Sequence, residues 1–469
     1  MSRFSATIQR NMLHELKSKI PMSWLDVYHR ILAKTAAFLY GNPSRELVVI
    51  GVTGTNGKTT VAYLIAKILE SDGSKTGCTT TALFKVADRE WLNDSKMTMP
   101  GRFRLQKMLR QMVQAGCRYA VIETSSQGII QHRHENIAYD IGVFTNLTPE
   151  HIEAHGGFEN YKKAKIKLFE HIAGLPSKMI DGQKIPRAAV LNRDDDHAAD
   201  FAVPGLTTIV WYGVGQPADL QAADVSETTE GVSFRLITHP PSAPSLNLRE
   251  GGVSYEATVS LQLMGKVNVY NALAALSTAS ICGQDLAAAT RKLSEVKAMP
   301  GRFERIEEGQ PWTVIVDYAP EPESLARCYE TVRILAPRRI VHVLGSCGGG
   351  RDVSRRPVLG RMAAENADVV IVTNEDPYDD DPQAIIDQVA QGAKSQGKQD
   401  GADLFRVLDR EQAIGLAMRQ AGPGDLVLLT GKGSEQRICV AGGRKIPWDE
   451  REAARRAIRQ AVAERAQKA

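Results

Sequence analysis

A glycine-rich segment near the start of the chain carries the residues best suited to chemistry. Gly54-Thr55-Asn56-Gly57-Lys58-Thr59-Thr60 follows an apolar run and precedes apolar residues at helical spacing. Glycines let the backbone approach an anion closely, and the N-terminus of a helix points free N–H groups at that anion. Lys58 supplies positive charge for the outer phosphates, and the hydroxyl of Thr59 can reach a bound Mg²⁺. Although Val52 stands where a more widely spaced phosphate loop has glycine, we predict a nucleoside triphosphate site.

Ionisable residues follow two further strands that the sequence predicts. Glu123 comes directly after residues 119–122, where a carboxylate can hold Mg²⁺ opposite the phosphates; on these residues alone, a helix-capping role is equally compatible. His151 and His155 follow the strand at 141–145 together with two glutamates, which favours a second metal position. Lys165 lies in a basic stretch that, from the sequence alone, is a solvated helix face.

Strands and helices must bring these residues together, and the chain alternates the two. We predict an α/β protein with a short helical N-terminal segment (1–46), a central P-loop domain with a parallel sheet (47–299) and a C-terminal Rossmann-like α/β domain (300–469). An insert at 219–263 has the pattern of antiparallel strands, at 232–237 and 253–263. The other predicted strands are 47–52, 119–122, 141–145, 188–191, 208–212, 313–317, 340–344, 369–373 and 426–430.

Composition narrows the class of protein. The 469 residues suggest about three domains, with 43% hydrophobic and 24% charged residues as in globular proteins. A net charge of +4 gives no reason to expect nucleic-acid binding. No apolar run approaches the ~20 residues of a membrane span, and no signal peptide opens the chain. The six cysteines are scattered without a C-x-x-C pair, so we expect neither a zinc site nor disulfides, and a cytoplasmic location.

A series of motifs follows in order along the chain. They are Gly54-Thr-Asn-Gly-Lys-Thr-Thr60, Glu123-Thr-Ser-Ser126, Thr145-Asn-Leu-Thr-Pro-Glu-His151, Ala164-Lys165, Leu263-Met-Gly-Lys-Val-Asn-Val-Tyr-Asn271, Gly301-Arg-Phe-Glu304, Asp317-Tyr-Ala319, Gly348-Gly-Gly-Arg-Asp352 and Gly431-Lys-Gly-Ser-Glu435. In this order they resemble the Mur ligases, the ATP-dependent amino-acid ligases of peptidoglycan precursor synthesis. Within that family the chain looks most like the ligases that add the third peptide residue, the UDP-N-acetylmuramoyl-tripeptide synthetases. The resemblance covers about residues 47–460.

The resemblance implies a role for particular residues. Lys58 and Thr59 would hold the triphosphate of ATP and its Mg²⁺. Glu123 and His151 match metal-binding residues, and Lys165 matches a lysine carried as a carbamate, in which CO₂ turns a cation into an anion that helps hold a second Mg²⁺. The implied nucleotide contacts are Gly54, Thr55, Asn56, Gly57, Lys58, Thr59, Thr60, Asn268, Asn271, Arg302 and Asp317. The implied contacts to the acceptor substrate are Thr98, Ser125, Ser126 and Arg133.

The implied reaction forms an amide through an acyl phosphate. An acceptor carboxylate attacks the γ-phosphate, and the amine of an incoming amino acid then displaces phosphate. Catalysis would rest on positioning and electrostatics, with Lys58, Glu123, His151 and Lys165 around the reacting groups. Because acyl phosphates hydrolyse readily, we expect the C-terminal domain to close over the site about a hinge near residue 300.

The pocket for the incoming amino acid departs from the family pattern. Ligases specific for diaminopimelate carry Asp-Asn-Pro-Arg, whereas this chain has Glu375-Asp376-Pro377-Tyr378. Without the arginine, a distal carboxylate loses its bidentate partner, so an acidic pocket would suit an amino acid that ends in an ammonium group. The acidic run 379–381 is as compatible with a solvated loop. The implied contacts to the incoming amino acid are Arg351, Glu375, Asp376, Tyr378, Gly431 and Glu435. Pro320 and Ser434 also replace histidines of the family motifs.

The N-terminal segment is the largest departure. About 46 residues precede the first strand, too few for the domain that binds the UDP of the acceptor in third-residue ligases. They predict a helix with Ser23 as N-cap and an apolar stripe, flanked by basic residues. The favoured interpretation is a helix that docks this stripe on the central domain; the alternative is a helix lying on a membrane that holds a lipid-linked acceptor. The stripe consists of Trp24, Tyr28, Ile31, Leu32 and Leu39, and the flanking residues are Lys17, Lys19, Arg30 and Lys34.

Three other functions stay open. A folylpolyglutamate synthetase shares the catalytic core, but the motifs at 348–352 and 375–378 point away from it. The ligase that amidates lipid-linked peptidoglycan has a short N-terminus, but usually carries a four-cysteine zinc ribbon. A nucleotide-gated binding protein without turnover would not need Glu123, His151 and Lys165 together. The partners expected are a UDP- or lipid-linked muramoyl-peptide acceptor and an amino acid, with no nucleic acid and no obligate protein partner.

Overall fold

Two β-sheets, each covered by helices, organise the chain. The computed structural model describes residues 22–149, 155–239 and 256–467. The first thirteen strands are β1 Val48–Thr53, β2 Lys75–Thr79, β3 Leu83–Val86, β4 Arg89–Leu92, β5 Cys117–Glu123, β6 Ile141–Phe144, β7 Met179–Ile180, β8 Gln183–Lys184, β9 Ala188–Asn192, β10 Thr208–Gly213, β11 Leu220–Thr228, β12 Gly231–Thr238 and β13 Glu256–Leu261. The others are β14 Glu304–Arg305, β15 Thr313–Val316, β16 Ile340–Leu344, β17 Val369–Thr373, β18 Leu404–Val407, β19 Leu426–Leu429, β20 Arg437–Val440 and β21 Arg444–Pro447.

Helices connect and cover these strands. They are α1 Met22–Leu39, α2 Lys58–Ile68, α3 Arg102–Gln114, α4 Ser126–Ile130, α5 Phe158–Gly174, α6 Val267–Ile281, α7 Leu286–Ser294, α8 Pro322–Ile334, α9 Arg355–Asn366, α10 Pro382–Lys394, α11 Arg410–Gln420 and α12 Glu450–Ala466. Short 3₁₀ turns lie at Pro43–Glu46, Ala198–Phe201 and Ala441–Gly443. None of the helices in the described part of the chain combines the length and apolar character needed to cross a bilayer.

The larger sheet has eleven strands in the order β13-β12-β11-β10-β9-β6-β1-β5-β2-β3-β4. Its middle, from β11 to β2, is parallel, and antiparallel strands extend both edges. Val48, Ile50 and Val52 pack into one core and Leu47 and Val49 into another. A strand covered by helices on both faces needs apolar residues at successive positions, which explains the continuous apolar run before the phosphate loop. We call this sheet with α2–α7 the larger unit.

The smaller sheet has the order β14-β15-β19-β16-β17-β18 and is parallel except for β14. Helices cover both of its faces, with Val314 in one core and Ile315 in the other. Two glycines let α9 and α10 pack in backbone contact: a Cβ on Gly360 would lie 1.8 Å from the carbonyl oxygen of Val389, and one on Gly392 would lie 2.0 Å from that of Pro357. We call this sheet with α8–α12 the smaller unit.

The strands predicted from sequence are confirmed to within about two residues where the structure describes them, and the insert forms β11–β13. The strands β2–β4, β7, β8, β11, β14, β18 and the hairpin β20–β21 were not predicted individually. They are short or polar, with Lys75, Arg89 and Glu90 exposed, so they lack the apolar run by which the central strands are recognised.

Helix α1 docks through a different face from the one predicted. Ala33, Ala36 and Ala37 are buried, and Asp26 lies 3.2 Å from His132. Small side chains allow α1 to approach α3 closely, so the alanine face forms the contact. The interpretation in which the large apolar stripe docks on the central domain is therefore wrong.

The stripe itself faces solvent. Trp24 is 73% exposed and Ile31 is 59% exposed, while Leu32, at the edge of the stripe, is half-buried. The helix begins at Met22, so Ser23 lies in its first turn and not at the N-cap position predicted for it. The other exposed apolar residues of α1 are Val27, Tyr28, Phe38 and Leu39.

Candidate active site

The loop between β1 and α2 has the backbone shape of an anion cradle. Gly54 and Gly57 have φ of 146° and 81°. A Cβ on Gly54 would lie 1.9 Å from Thr145 Oγ1, and one on Gly57 would lie 2.6 Å from Asn271 Oδ1, so only glycine fits at either position. Because the N-cap residue of α2 is Gly57, no side chain there competes for the first N–H groups of the helix.

A neighbouring strand end holds this loop in shape. Asn146, just after β6, accepts from the N–H of Asn56 at 2.9 Å, and Thr145 Oγ1 donates to the carbonyl of Asn56 at 2.7 Å. Lys58 Nζ donates to the carbonyl of Thr55 at 2.6 Å and thus lies along the loop. The residues after β6 therefore position the loop from the side, while Lys58 lies on it.

Glu123 and Thr59 place their side-chain oxygens next to each other at the start of α2. Glu123 ends β5 and is 1% exposed. Its carboxylate accepts from Thr59 Oγ1 at 2.9 Å and from the N–H of Thr81 at 2.6 Å. Carboxylate and hydroxyl oxygens are ligands that Mg²⁺ prefers. The two side chains therefore fit a magnesium ion beside the phosphate loop.

Lys165 is buried against the phosphate loop. Its ammonium donates to the carbonyl of Gly54 at 2.6 Å and lies 4.3 Å from the centre of the Tyr161 ring. The sequence predicted a solvated face for this stretch, which holds for the exposed Lys163 and Lys167 but not for Lys165, which is 1% exposed. Helix α5 thus delivers a lysine to the loop from the side opposite α2.

Only part of the predicted histidine cluster is described. His151 lies outside the described residues. His155 lies 3.2 Å from the hydroxyl of Ser126, and its ring meets Tyr161 edge-on at 5.0 Å. Burial, together with the charge of Lys165, lowers the pKa of His155, so its ring is neutral near pH 7.

The predicted nucleotide contacts outside the loop converge on the same region. Asn268 and Asn271 share a face at the start of α6, where Asn271 Nδ2 donates to Asn268 Oδ1 at 2.8 Å. Arg302 lies 4.5 Å from the centre of the Tyr318 ring, and its Nη2 is 3.4 Å from Thr59 Oγ1. Arg302 therefore reaches from the smaller unit's side of the chain to the phosphate loop.

Asp317 follows β15 and is held by backbone N–H groups. It accepts from Phe303 at 2.6 Å and from Ala319 at 2.9 Å. Burial raises the pKa of Asp317, and the charge of Arg302 with these two hydrogen bonds partly offsets the rise. The side chain is thus a fixed acceptor on the wall of the cleft.

The predicted acceptor residues line the opposite wall. Ser125 caps α4 by accepting from the N–H of Gly128 at 3.1 Å. Thr98 Oγ1 lies 3.0 Å from Thr81 Oγ1, which is also 3.0 Å from Glu123. Burial, with the nearby charge of Arg102, lowers the pKa of Arg133 to about 10, which still leaves Arg133 a cation at neutral pH.

The residues predicted to read the incoming amino acid fall into two groups. Arg351 and Tyr378 line the cleft. Glu375 and Asp376 are buried, and Glu375 accepts from Cys347 Sγ at 2.9 Å. A Cβ on Gly431 would lie 2.3 Å from Glu375, so this glycine makes room for the carboxylate. The acidic run 379–381 is exposed, and Asp381 caps α10, which supports its interpretation as a solvated loop.

A lysine that the sequence did not single out contacts the acidic residues of this pocket. Lys96, in the loop before α3, forms ion pairs with Asp376 and, at 2.9 Å, with Glu435. Lys432 contacts the same two carboxylates at 3.0 and 2.7 Å. Two ammonium groups therefore balance the carboxylates of Asp376 and Glu435, which weakens the electrostatic reason for expecting an amino acid that ends in an ammonium group.

A single cleft of about 1340 Å³ between the two units gathers most of the predicted residues. Among those on its surface are Thr55, Asn56, Gly57, Lys58, Thr59, Thr60, Thr98, Glu123, Ser125, Ser126, Arg133, Lys165, Asn268, Asn271, Arg302, Asp317, Arg351 and Tyr378. Gly54, Glu375, Asp376, Gly431 and Glu435 are not among the residues that line it. Lys96 does line it and lies against two of these, Asp376 and Glu435.

Known protein families cover most of the chain. The Mur ligase middle domain matches residues 52–279, and the Mur ligase, glutamate ligase domain matches residues 301–433. The UDP-N-acetylmuramyl-tripeptide synthetase of Roseiflexus sp. (strain RS-1) is 41% identical over 431 residues, which are 91% of this chain and 81% of that protein. The chain belongs to the Mur ligases. The predicted family and the predicted amide-forming acid–amino-acid ligase are thereby confirmed, since Mur ligases are ATP-dependent ligases of peptidoglycan precursor synthesis.

Solved structures agree with the fold of a Mur ligase. A UDP-N-acetylmuramoyl-L-alanyl-D-glutamate–2,6-diaminopimelate ligase is 30% identical with a TM-score of 0.56, over 89% of this chain and 79% of that one. The folylpolyglutamate synthase of Mycobacterium tuberculosis has a TM-score of 0.64 over 91% of this chain and 96% of its own, but is 18% identical, which shows a shared fold alone. The predicted α/β class with a P-loop sheet and a second α/β sheet is confirmed.

Proposed function

We propose that this chain is an ATP- and Mg²⁺-dependent ligase that joins one amino acid to a carboxylate of a muramoyl-peptide acceptor. The observation that supports this most strongly is the convergence of Lys58, Glu123 and Lys165 at one edge of the larger sheet, facing a cleft closed by the smaller unit. A protein that only bound a nucleotide would need the phosphate loop but not the buried lysine beside it.

The chain's own residues act by position and charge. Lys58 and the N–H groups of α2 bind the phosphates, and Thr59 and Glu123, with His151 and a carbamate on Lys165, would hold Mg²⁺. Held there, the ion would supply positive charge beside the transferring phosphoryl group. The acceptor carboxylate takes that group from ATP to give an acyl phosphate and ADP. The amine then attacks the acyl carbon, an amide bond forms and phosphate leaves.

Lys165 is suited to the carbamate role by its surroundings. An amine buried beside the phosphate loop reacts with CO₂ to give a carbamate and a proton, and the product is an anion at a position where a metal needs ligands. Tyr161 and His155 border this position. In the proposed enzyme the modification converts a competitor of Mg²⁺ into its ligand.

The two substrates occupy opposite walls of the cleft in this proposal. Thr98, Ser125, Ser126 and Arg133 contact the acceptor, while Arg351 and Tyr378 contact the incoming amino acid. Tyr378 stands where diaminopimelate-specific ligases have an arginine, so a distal carboxylate would have no bidentate partner at this position.

The exposed face of helix α1 favours the interpretation in which the acceptor lies at a membrane surface. Its apolar face around Trp24 and Ile31 is exposed, with Arg30 and Lys34 beside it. Residues 1–46 contain seven basic and three acidic side chains, a net charge of +4 that equals that of the whole chain. An apolar face within a basic segment binds anionic lipid surfaces. We therefore include peripheral contact with an anionic membrane, from the cytoplasmic side, in the proposal.

Sedimentation with vesicles tests this contact. The protein should bind vesicles that contain anionic phospholipid, and Ile31→Glu should abolish binding while Lys163→Glu, on the exposed face of α5, should not. Equal binding by all three proteins would exclude α1 as the contact, and no binding to anionic vesicles would exclude the membrane contact and leave a soluble UDP-linked acceptor.

We also propose domain boundaries at residues 47 and 300, with a hinge near residue 300. This hinge falls between α7, which ends at Ser294, and β14, which begins at Glu304. A folylpolyglutamate-synthetase-like ligase is the second candidate, because such enzymes share this fold. An assay with glutamate as the incoming amino acid separates the two candidates.

Acceptor-dependent ADP formation tests the proposed function. Lys58→Ala should lose it, while Lys67→Ala, at the other end of the same helix and paired with Glu90, should keep it. Turnover by Lys58→Ala at the rate of the unchanged protein would contradict the assignment of the phosphate loop.

A further inference from the structure

Lys96 joins the two units at the amino-acid side of the cleft. It belongs to the larger unit, in the loop between β4 and α3, whereas Asp376 and Glu435 belong to the smaller unit. The ion pairs are shielded from water, because the side chains of Lys96, Asp376 and Glu435 are 6%, 4% and 12% exposed. A charge in such a place depends on its partners, since burial alone disfavours it.

Lys96 differs from Lys432, the second lysine at this cluster. Lys432 lies in the same unit as both carboxylates and also donates to the carbonyl of Arg437 at 2.8 Å, so its contacts persist whatever the position of the larger unit. Lys96 can reach the carboxylates only when the units are docked. With Lys432 alone, two buried carboxylates would share one ammonium group, so docking completes the charge balance.

The loop that carries Lys96 is fixed in shape. The buried Asn93 donates to the carbonyls of Thr80 at 2.8 Å and Met97 at 3.0 Å, and its side-chain oxygen accepts from the N–H of Ser95 at 2.9 Å. Lys96 itself has φ of 55°, a left-handed conformation that a lysine adopts only when its surroundings hold it there. The chain conformation thus presents the ammonium group to the smaller unit.

The same loop reaches the acceptor wall two residues later, at Thr98, which lies close to Thr81 and through it to Glu123. Two weaker contacts also cross between the units here, from Arg437 to the carbonyl of Asp94 at 3.3 Å and from Lys445 to that of Ser95 at 3.4 Å. The loop at 93–99 therefore includes a residue of the acceptor wall, contacts Thr81 beside Glu123, and contacts the smaller unit.

We propose that Lys96 is a positioning residue that latches the smaller unit onto the larger one, and that Asp376 and Glu435 receive this latch and do not read the incoming amino acid. Lys96 lies on the cleft surface and occupies both carboxylates. Closure brings the acyl phosphate and the amine together and keeps water away. The inference rests on the proposed function for its kinetic readout only, because the docking of the units can be measured without turnover.

The test compares Lys96→Met, which keeps the length of the side chain and removes its charge, with Lys445→Met, which removes an exposed lysine from the same boundary. Small-angle X-ray scattering of the full chain with a non-hydrolysable ATP analogue should show a larger radius of gyration for Lys96→Met and an unchanged one for Lys445→Met. Glu435→Gln removes one of the two ion pairs of Lys96 from the other side and should shift the radius of gyration in the same direction by a smaller amount, which keeps the test valid should Lys96→Met fail to fold. Lys96→Arg, which keeps the charge, should stay closed.

Kinetics add a second readout. For Lys96→Met we expect kcat to fall about tenfold or more, because a buried pair has lost one partner, with KM for ATP little changed and the order of preference among amino acids unchanged. An unchanged radius of gyration in both Lys96→Met and Glu435→Gln would overturn the latch, whatever the ligase activity. A changed amino-acid preference with normal closure would overturn it too, since Asp376 and Glu435 would then be reading the substrate.

Discussion

Replacing Arg410 by methionine should destabilise the smaller unit far more than replacing a nearby surface residue. Arg410 begins α11 and is 3% exposed. It donates to both oxygens of Glu450 on α12, at 2.6 to 3.1 Å, and to the carbonyls of Asn374 at 3.1 Å and Thr430 at 2.6 Å. These carbonyls follow β17 and β19, so one guanidinium ties two helices to the two strand ends beneath Glu375 and Gly431.

The magnitude follows from what the change leaves behind. Arg410→Met would leave the fully buried carboxylate of Glu450 with Trp448 Nε1, at 2.8 Å, as its remaining side-chain donor. Breaking a buried pair in this way costs about 3–5 kcal/mol. Arg456→Gln is the matched control, since Arg456 joins the same two helices through Glu411 with both side chains more than half exposed. We expect the control to cost about 0.2–1 kcal/mol.

Urea unfolding followed by tryptophan fluorescence is the assay. Trp448, which contacts Glu450, and the buried Trp312 both lie in the smaller unit, so its unfolding changes the fluorescence signal; this matters because the two units need not unfold together. The midpoint for Arg410→Met should lie well below that of Arg456→Gln. Equal midpoints for the two variants would refute the reasoning that burial makes the Arg410 pair indispensable.

The remaining predictions concern the carbamate, acid sensitivity and helix packing. Lys165→Ala should be inactive and partly rescued by added short carboxylic acids, with Lys163→Ala as an active control; full activity of Lys165→Ala would contradict the carbamate. Burial, with the charge of Arg410, lowers the pKa of His342 from 6.5 to about 3. Between these two pH values the unfolded chain binds a proton at His342 and the folded chain does not. The contribution of His342 to stability is thus fully present above pH 6.5 and is lost by about 1.4 kcal/mol per pH unit as the pH falls below it, a slope that titration of urea midpoints should find reduced in His342→Gln. Gly360→Ala should lower the free energy of unfolding by about 1–3 kcal/mol, because the added Cβ clashes with α10. Gly415→Ala in α11 should be neutral or stabilising, because its Cβ would meet only the end of the Arg419 side chain at 3.3 Å. Comparison of the thermal midpoints of the two variants tests this.

The features that the sequence predicted are local. The phosphate loop combines glycines, a lysine and a hydroxyl within seven residues, and the strand before it is a continuous apolar run, so both are visible without knowing the fold. Glu123 follows a similar run. Parallel strands place their carboxyl ends at one edge of the sheet, which is why residues from separate motifs meet there.

The features that the sequence missed depend on tertiary contacts. Lys96 has no motif, and its partner Asp376 lies 280 residues away along the chain. Lys165 did carry a signal: it falls on the buried face of α5 with Tyr161, Ala164, Leu168 and Phe169, at helical spacing, which distinguishes it from the exposed lysines on either side.

Helix α1 shows a limit of apolar patterns. Two faces of this helix could dock, one built of large apolar residues and the other of Ala33, Ala36 and Ala37. Hydrophobicity favours the first, but close approach of two backbones favours the second, and the structure uses the second. A stripe of large residues therefore predicts burial against some partner, but not which one.

The most direct test of the central claim is phosphate release by the full chain with ATP, Mg²⁺ and UDP-N-acetylmuramoyl-L-Ala-D-Glu, against lysine, ornithine, diaminopimelate and glutamate in turn. We predict release that requires the acceptor and one of these amino acids together, with an amide product of matching mass. If no amino acid supports release with this acceptor or with a lipid-linked muramoyl peptide in anionic vesicles, the chain is not the ligase proposed here.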